Sequence, residues 1–358
     1  MDVPQISVTM AVSNVERYLS RAIESVLSQT FTNFEFIIVD FGSSDRSREI
    51  VAAFAAKDRR IRGYQIPACT LPEARNAACS HARAPYIAVM DADDVCVPQR
   101  FQWEIEFLEN NPSVGLVGGA TEWIDASGTP LGIHEVPCGD SEIREVFPVR
   151  CPFWHPTIMV RREALQLVGG YRNAFVFAHD YDMELRVSDH FDCANLKQVV
   201  LHYRIHPAQV SLRKQQTQTM CKIAAQVSAS ARRSTQPDPL AGVSEITASL
   251  LRSLGVSDAT QQRTTFSDCR NWIRTMLAAG EYSAALRAAV NMLNSGSAGV
   301  EDWQVADLQL TRAQLLWRQG EVFAGVGALT RALAIRPLVL GRAIRGIFGS
   351  VGHHSANQ

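Results

Sequence analysis

The stretch Tyr86 to Asp94, Y-I-A-V-M-D-A-D-D, narrows what this chain can become more than any other. Tyr86 to Met90 form an apolar run of the length of a buried strand. The run stops at three carboxylates, Asp91, Asp93 and Asp94. If strand geometry continued, Asp91 and Asp93 would turn to the same side. Carboxylates crowded at a strand end repel each other and lose water, and neither effect helps folding. A hard divalent cation relieves both costs. Mg2+ and Mn2+ take oxygen ligands, typically one or two carboxylates with water and phosphate completing the shell. The other reading is an acidic loop capping a helix that starts at Pro98. The D-x-D tripeptide is too common to decide alone.

The flanking chain supplies a context. Ile6 to Val12 alternates as a strand, and Ser13-Asn14-Val15-Glu16 has the spacing of a capping box for a helix reaching about Gln29. Phe34 to Val39 is a second strand, ending in the polar turn Asp40-Phe41-Gly42-Ser43-Ser44-Asp45. A helix, a short strand from Ile61 to Gln65 and a helix opened by Leu71-Pro72-Glu73 precede the acidic stretch. Strand and helix in alternation with short links predict a parallel sheet covered on both faces. In such sheets ligands sit beyond the carboxyl ends of the strands. Asp40 and Asp91 to Asp94 therefore face one crevice in this reading.

After the helix to about Asn110, strands are expected over Val114 to Gly118, Leu131 to Ile133, Trp154 to Val160 and Val199 to Ile205. Short helices are expected over Ser141 to Phe147 and Arg162 to Val168, and another from His179 to about Ser188. The Pro-containing break Ser234 to Pro239 suggests a boundary between a domain of residues 1–232 and an all-α domain of residues 240–358. In the latter, Gly280-Glu281 and Gly320-Glu321 each precede an Ala-rich segment, a weak repeat of two helical hairpins faintly like tetratricopeptide units. An ordinary helical bundle is the other reading.

Composition excludes several classes. A formal net charge of -1 in 358 residues argues against bulk nucleic-acid binding. No G-x-G-x-x-G follows the first strand, and there is no Walker lysine loop. The eight cysteines contain no C-x-x-C pair and read as reduced thiols. The first strand starts too early for a signal peptide, and no apolar run is long enough to span a membrane. A cytoplasmic protein is expected. Near the end, Leu340, Ile344, Ile347, Phe348 and Val351 recur at helical spacing opposite Arg342 and Arg345. That pattern suits either a helix lying on the inner face of an anionic membrane or one packed on the preceding hairpin.

Together the motifs resemble the inverting family-two glycosyltransferases of the GT-A fold. V-D-F-G-S-S-D at Val39 to Asp45, E-A-R-N at Glu73 to Asn76, D-A-D-D at Asp91 to Asp94, H-D-Y-D-M at His179 to Met183 and Y-R-I-H at Tyr203 to His206 stand in the family's order. The resemblance covers about the first two thirds of the chain. It implies a Rossmann-like, mostly parallel α/β sheet with helices on both faces, followed here by an added all-α domain. It implies transfer of a sugar from a nucleotide-sugar, UDP-linked by preference, to an acceptor hydroxyl with inversion, in cell-surface polysaccharide or glycolipid synthesis. The acceptor would be a saccharide or lipid-linked. By position, Asp180 is the general base. Asp40, Arg75 and Asp91 contact the nucleotide, and Asp93 with His206 holds Mg2+ or Mn2+. Trp154, His155 and His179 are further candidates for the substrate pocket, with a packed core pair the alternative for Trp154 and His155.

Two departures stand out. Phe41 replaces the family's second acid, and His179 replaces the Glu beside the base. A cationic His179 would lower the Asp180 pKa, and a neutral one would not. Two rival readings are a non-catalytic relative that binds through its helical tail, and a nucleotidyltransferase. The intact Asp91, Asp93 and Asp180 argue against the first. The lack of a Gly-rich basic loop after the first strand argues against the second.

Overall fold

The structure, a computed structural model, describes residues 3–206, 215–294 and 299–337. These divide into two compact units, within Met1–Arg204 plus Cys221–Thr247 and within Ile205–Met220 plus Ala248–Gln358. The apolar stripe from Leu340 to Val351 lies outside the described residues.

The first unit is built on nine strands: β1 (Ile6–Val12), β2 (Phe34–Asp40), β3 (Ile61–Gln65), β4 (Tyr86–Val89), β5 (Val95–Cys96), β6 (Val114–Ile124), β7 (Pro130–His134), β8 (Met159–Arg161) and β9 (Asp192–Arg204). They form one sheet in the order β3-β2-β1-β4-β8-β6-β9-β5, with β7 paired to β6. The block β3-β2-β1-β4 is wholly parallel, as alternating strands and helices dictate. Beyond β4 the sheet is mixed: β8 runs antiparallel to β4 and β6, whereas β9 is parallel to β6. All seven residues of β2 are buried, the signature of a strand covered on both faces.

Helices α1 (Glu16–Leu27), α2 (Ser47–Ala55), α3 (Leu71–Ser80), α4 (Arg100–Asn110), α5 (Asp140–Val146), α6 (Arg162–Leu167) and α7 (His179–Ser188) cover the sheet. Leu19, Ile23 and Val26 of α1 join the core formed by Ile6, Val8 and Met10 of β1. The capping box expected at Ser13 does not form. Asn14 takes a positive φ of 52°, and the Glu16 carboxylate accepts the Arg46 amide at 2.9 Å. Residues 14 to 16 are spent on tying the β1–α1 turn to the β2–α2 turn. The strand expected over Trp154 to Val160 is a short 3-10 turn at His155–Thr157 followed by β8, because Pro156 cannot donate to a ladder.

The Pro-containing break is not where the units part. Asp238 accepts from Arg172 at 2.9 Å, from Ser228 at 2.8 Å and from Arg232 at 3.1 Å. Those bonds keep the segment to Thr247 with the first unit, including the end of α8 (Gln215–Arg233). After α9 (Ala248–Ser253), the second unit contains α10 (Asp258–Ala278), α11 (Tyr282–Asn294), α12 (Asp302–Arg318) and α13 (Val322–Ile335). The two hairpins end their first helices alike. Gly280 and Gly320 take φ of 74° and 83°, and the next amides, of Glu281 and Glu321, bond Met276 and Leu316 carbonyls at 2.9 Å. That is a Schellman stop used twice.

Candidate active site

Every acid singled out in the first unit sits at a carboxyl end of a strand or at the start of α7. β4 ends at Val89, so Asp91 to Asp94 form a turn and the alternation of a strand does not aim them. Their placement comes from partners instead. The Asp91 Oδ1 accepts from Arg75 Nη2 at 2.7 Å. Arg75 is held on α3, whose start is fixed by a reciprocal Thr70–Glu73 capping box. Asp94 is buried, and its Oδ1 accepts the Arg204 amide at 2.8 Å. The Arg204 Nε donates to the Asp93 carbonyl at 2.8 Å, so the end of β9 clamps the acidic turn.

This clustering has an electrostatic cost. Burial first, and then repulsion from Asp93 and Asp91, push the Asp94 carboxyl well above its ordinary range. Asp91 is raised as well, chiefly by burial and then by Asp93, although Arg75 opposes the shift. Both carboxyls therefore hold protons more tightly than exposed acids, chiefly because they are buried, and a cation beside them would favour their ionised forms. Among the described residues, no group of three or more His, Cys, Asp or Glu side chains is gathered to hold a metal. Asp91 and Asp93, both partly exposed, suit the binding habit of Mg2+ or Mn2+, which rely on one or two carboxylates with phosphate and water. His206 is buried two residues beyond the end of β9.

Asp40 closes β2. Its Oδ1 accepts from the Gly42 and Ser43 amides at 3.2 Å and from Arg48 Nε at 2.8 Å. Gly42 has a φ of 96°, and a Cβ there would lie 2.8 Å from the Ala68 Cβ, so the turn that holds Asp40 requires glycine.

Asp180 is the second residue of α7. Its Oδ1 accepts the Tyr181 amide at 2.8 Å. Burial raises its pKa, outweighing the lowering by that amide and by Arg75. The residue before α7, Ala178, has a φ of 50° and a ψ of 24°, a left-handed conformation uncommon outside glycine. His179 is buried with both ring nitrogens unpaired among the described residues. Burial, reinforced by Arg75, holds its pKa well below the ordinary range, so it is neutral and does not depress Asp180.

Residues that sequence reasoning missed lie near Asp180. Glu184, one turn after Asp180, is fully buried and bonded to His155 Nδ1 at 3.1 Å and to the Cys151 thiol at 2.8 Å. His155 Nε2 pairs with the Tyr171 hydroxyl at 3.1 Å. Burial first and the nearby Asp180 second push Glu184 up to about 8, so at neutral pH it is largely a proton-bearing carboxyl. The only available signal was the i, i+4 spacing of Asp180 and Glu184, which puts both on one helix face. His155 is thus a buried, bonded residue. Trp154 beside it is partly exposed and packs edge-on to Trp123, with ring centroids 5.4 Å apart.

Unpaired buried polar atoms recur around this crevice: Asp40 Oδ2, Arg75 Nε, Asp94 Oδ2 and both His179 nitrogens. Native proteins bond nearly all such groups, so a cluster of them marks a place where something else binds.

Comparison with known proteins is consistent with this geometry. Residues 7–169 match the family model described as glycosyl transferase family 2. An uncharacterised glycosyltransferase of Methanocaldococcus jannaschii is 32% identical over 210 residues, which cover 57% of this chain and 72% of that protein. The O-antigen biosynthesis glycosyltransferase WbnJ of Escherichia coli is 30% identical over 207 residues, covering 56% of this chain and 80% of the relative. Among solved structures, the mannosyltransferase PcManGT from Pyrobaculum calidifontis, in complex with GDP-Man and Mn2+, superposes with a TM-score of 0.51 over 92% of this chain and 88% of that one, at 15% identity.

Proposed function

This chain belongs to the family 2 glycosyltransferases, and from that premise we propose that it moves one sugar from a nucleotide-sugar, UDP-linked by preference, to an acceptor hydroxyl with inversion. The observation that carries the reading is the pairing of a turn that crowds Asp91, Asp93 and Asp94 together with a buried, pKa-raised carboxyl at Asp180. One group suits a cation-bound diphosphate, and the other suits proton abstraction.

Asp180 takes the proton from the acceptor hydroxyl. The acceptor oxygen then bonds to the anomeric carbon as the bond from that carbon to the diphosphate oxygen breaks. The diphosphate leaves with the electron pair, and one displacement inverts the centre. A divalent cation at Asp91 and Asp93, Mg2+ or Mn2+, would supply positive charge to the departing diphosphate. Arg75 orients Asp91 and lies beside the nucleotide. Asp40 reads the base or ribose, with its Oδ2 unpaired and its Oδ1 fixed by Arg48. His179 and Trp154 line the pocket. The raised pKa of Asp180 makes it a better base than an exposed aspartate.

The relatives support a place in surface polysaccharide or glycolipid synthesis, since one is named for O-antigen biosynthesis. The proposed location is the cytoplasm, at the inner face of the cell membrane where lipid-linked acceptors lie. No helix among the described residues is long and apolar enough to cross a membrane.

The test is a nucleotide-sugar screen on the full chain, with Mn2+ and with a chelator. Ligand at about a hundred times its Kd stabilises the folded state by about 2.7 kcal/mol. We expect at least one of UDP-glucose, UDP-galactose, UDP-N-acetylglucosamine and GDP-mannose to raise the Tm and to be slowly hydrolysed, both only with metal. No metal-dependent shift from any of them contradicts the proposal.

A further inference from the structure

Glu184, one turn after Asp180, has no access to solvent, and the reaction described above gives it no role. Both its oxygens are engaged. Oε2 accepts from the Cys151 thiol at 2.8 Å, and Oε1 faces His155 Nδ1 at 3.1 Å. His155 Nε2 in turn faces the Tyr171 hydroxyl at 3.1 Å. Tyr171 is pinned to α3. Its amide donates to Asn76 Oδ1 at 2.9 Å, and its carbonyl accepts from Asn76 Nδ2 at 2.7 Å. Four side chains from three segments thus form one hydrogen-bonded chain. It starts on the helix of the base and ends on the neighbour of Arg75.

The proton count along these four groups is constrained. Burial, then Arg75 and His179, hold the His155 pKa well below its ordinary range, so the ring is neutral. Burial raises Tyr171 and Cys151 well above their ordinary values, so each keeps its proton. Tyr181 on α7 and Cys193 on β9, the other titratable neighbours of Glu184, are raised by burial as well. A neutral imidazole has one donor nitrogen and one acceptor nitrogen. Two arrangements follow. With Glu184 ionised, His155 Nδ1–H donates to the carboxylate, and the Tyr171 hydroxyl donates to a bare Nε2. With a proton on Glu184, the carboxyl donates to a bare Nδ1, and Nε2–H donates to the Tyr171 oxygen. The protonation of Glu184 and the tautomer of His155 are therefore one variable.

We propose that Asp180 and Glu184 share one proton at neutral pH and that His155 and Tyr171 keep it on Glu184, so that Asp180 is the ionised member and the base. The role given to Asp180 rests on the transferase reading above. Their i, i+4 spacing puts the two carboxyls on one face of α7, and carboxyls in one dry site resist ionising together. Arg75 is the cation that acts on both. It does not decide which of them holds the proton, whereas the hydrogen-bonded chain does. A bare His155 Nδ1 accepts the Glu184 proton and offers nothing to an ionised Glu184. The Tyr171 oxygen holds that tautomer by accepting from Nε2–H. Burial first, and then Asp180, push Glu184 up to about 8, on the same side as this geometry. Environments that separate two neighbouring carboxyls in this way decide which is proton donor and which is base. Glu184, His155 and Tyr171 are positioning residues here, because they act through the charge on Asp180.

The test is nitrogen-15 NMR of the histidine rings in the full chain between pH 6 and 9, with the His155 signals identified by their loss in His155→Gln. We expect a bare Nδ1 and a protonated Nε2 at pH 6.5, reversing as the pH rises through about 8, and no reversal in Glu184→Gln. A protonated Nδ1 at pH 6.5, or a reversal that persists in Glu184→Gln, overturns the proposal. Turnover gives a second readout, through the Mn2+-dependent hydrolysis of whichever nucleotide-sugar of the screen above is consumed. His155→Phe lets the proton move to Asp180, so the acid limb of the pH profile should shift up by about one unit, and turnover at pH 6.5 should fall about tenfold. Adding Glu184→Gln to His155→Phe removes the shared proton and should restore the wild-type limb, which repair of a packing defect would not explain. A double variant no better than His155→Phe overturns the proposal. A wild-type chain that shows the tautomer reversal but consumes none of the nucleotide-sugars supports the placement of the proton and overturns the transferase reading instead.

Discussion

Asp180→Asn should lower turnover by about a hundredfold or more while leaving nucleotide-sugar affinity close to wild type, since a positioned general base contributes about 10²–10⁴-fold. The substitution keeps the size of the side chain and its acceptor oxygen for the Tyr181 amide, so the start of α7 survives. Only the proton-accepting charge is lost. The pH profile gives a second readout. A general base at Asp180 would act when ionised, and burial lifts the Asp180 pKa above the ordinary value of about 3.9. The rate should therefore fall as pH drops through that raised pKa, and this acid limb should vanish in the variant. Single-turnover kinetics over pH 4–8 would check both. A variant that loses donor binding but keeps high turnover would make Asp180 a structural acid at a helix start.

Arg100→Ala is expected to be the most destabilising single change near the site. Arg100 is wholly inaccessible to solvent. It donates to Glu104 at 2.9 Å, to the Val89 carbonyl at 3.0 Å and to the Ile158 carbonyl at 3.3 Å. The last two join α4 to the end of β4, two residues before Asp91, and to the segment before β8. Removing one partner of a buried ion pair leaves an uncompensated charge and costs about 3–5 kcal/mol. The pH dependence follows from Glu104. Burial raises its folded pKa to about 7 even with Arg100 opposing. A carboxyl raised on folding contributes its full stability below the unfolded pKa, and that contribution is lost as pH rises through the folded value. Without Arg100 the folded value rises further and the loss extends to higher pH. Arg100→Ala should therefore be more damaging at pH 8 than at pH 5.5, as read by urea unfolding. A cost below about 1 kcal/mol, or one independent of pH, would contradict this account.

Much of the first unit was legible because its strands are continuous apolar runs. β1, β2 and β4 are covered on both faces, so burial is written into consecutive residues. The acids of the candidate site were legible for a related reason: Asp40 and Asp91 to Asp94 interrupt those runs at the strand ends. The partners that aim these acids were not legible. Arg75 meets Asp91 across 16 residues, and Arg204 meets Asp94 across 110, distances at which local pattern carries no information. Ser13-Asn14-Val15-Glu16 misled because Glu16 was recruited by a neighbouring turn, a tertiary override of local capping. The break at Ser234 to Pro239 misled because Asp238 is captured by Arg172 and Arg232. The Glu184 network combines residues from three segments, so only the folded chain assembles it.

The central claim is that the crevice at Asp91 and Asp93 takes a nucleoside diphosphate together with a divalent cation. The most direct measurement is a calorimetric titration of UDP into the full chain with Mn2+ and with a chelator, repeated for Asp93→Asn. This account predicts saturable binding that requires Mn2+ and weakens at least tenfold in the variant, with the variant's Tm preserved. Binding that is indifferent to the metal, or an unchanged affinity in Asp93→Asn, would contradict it.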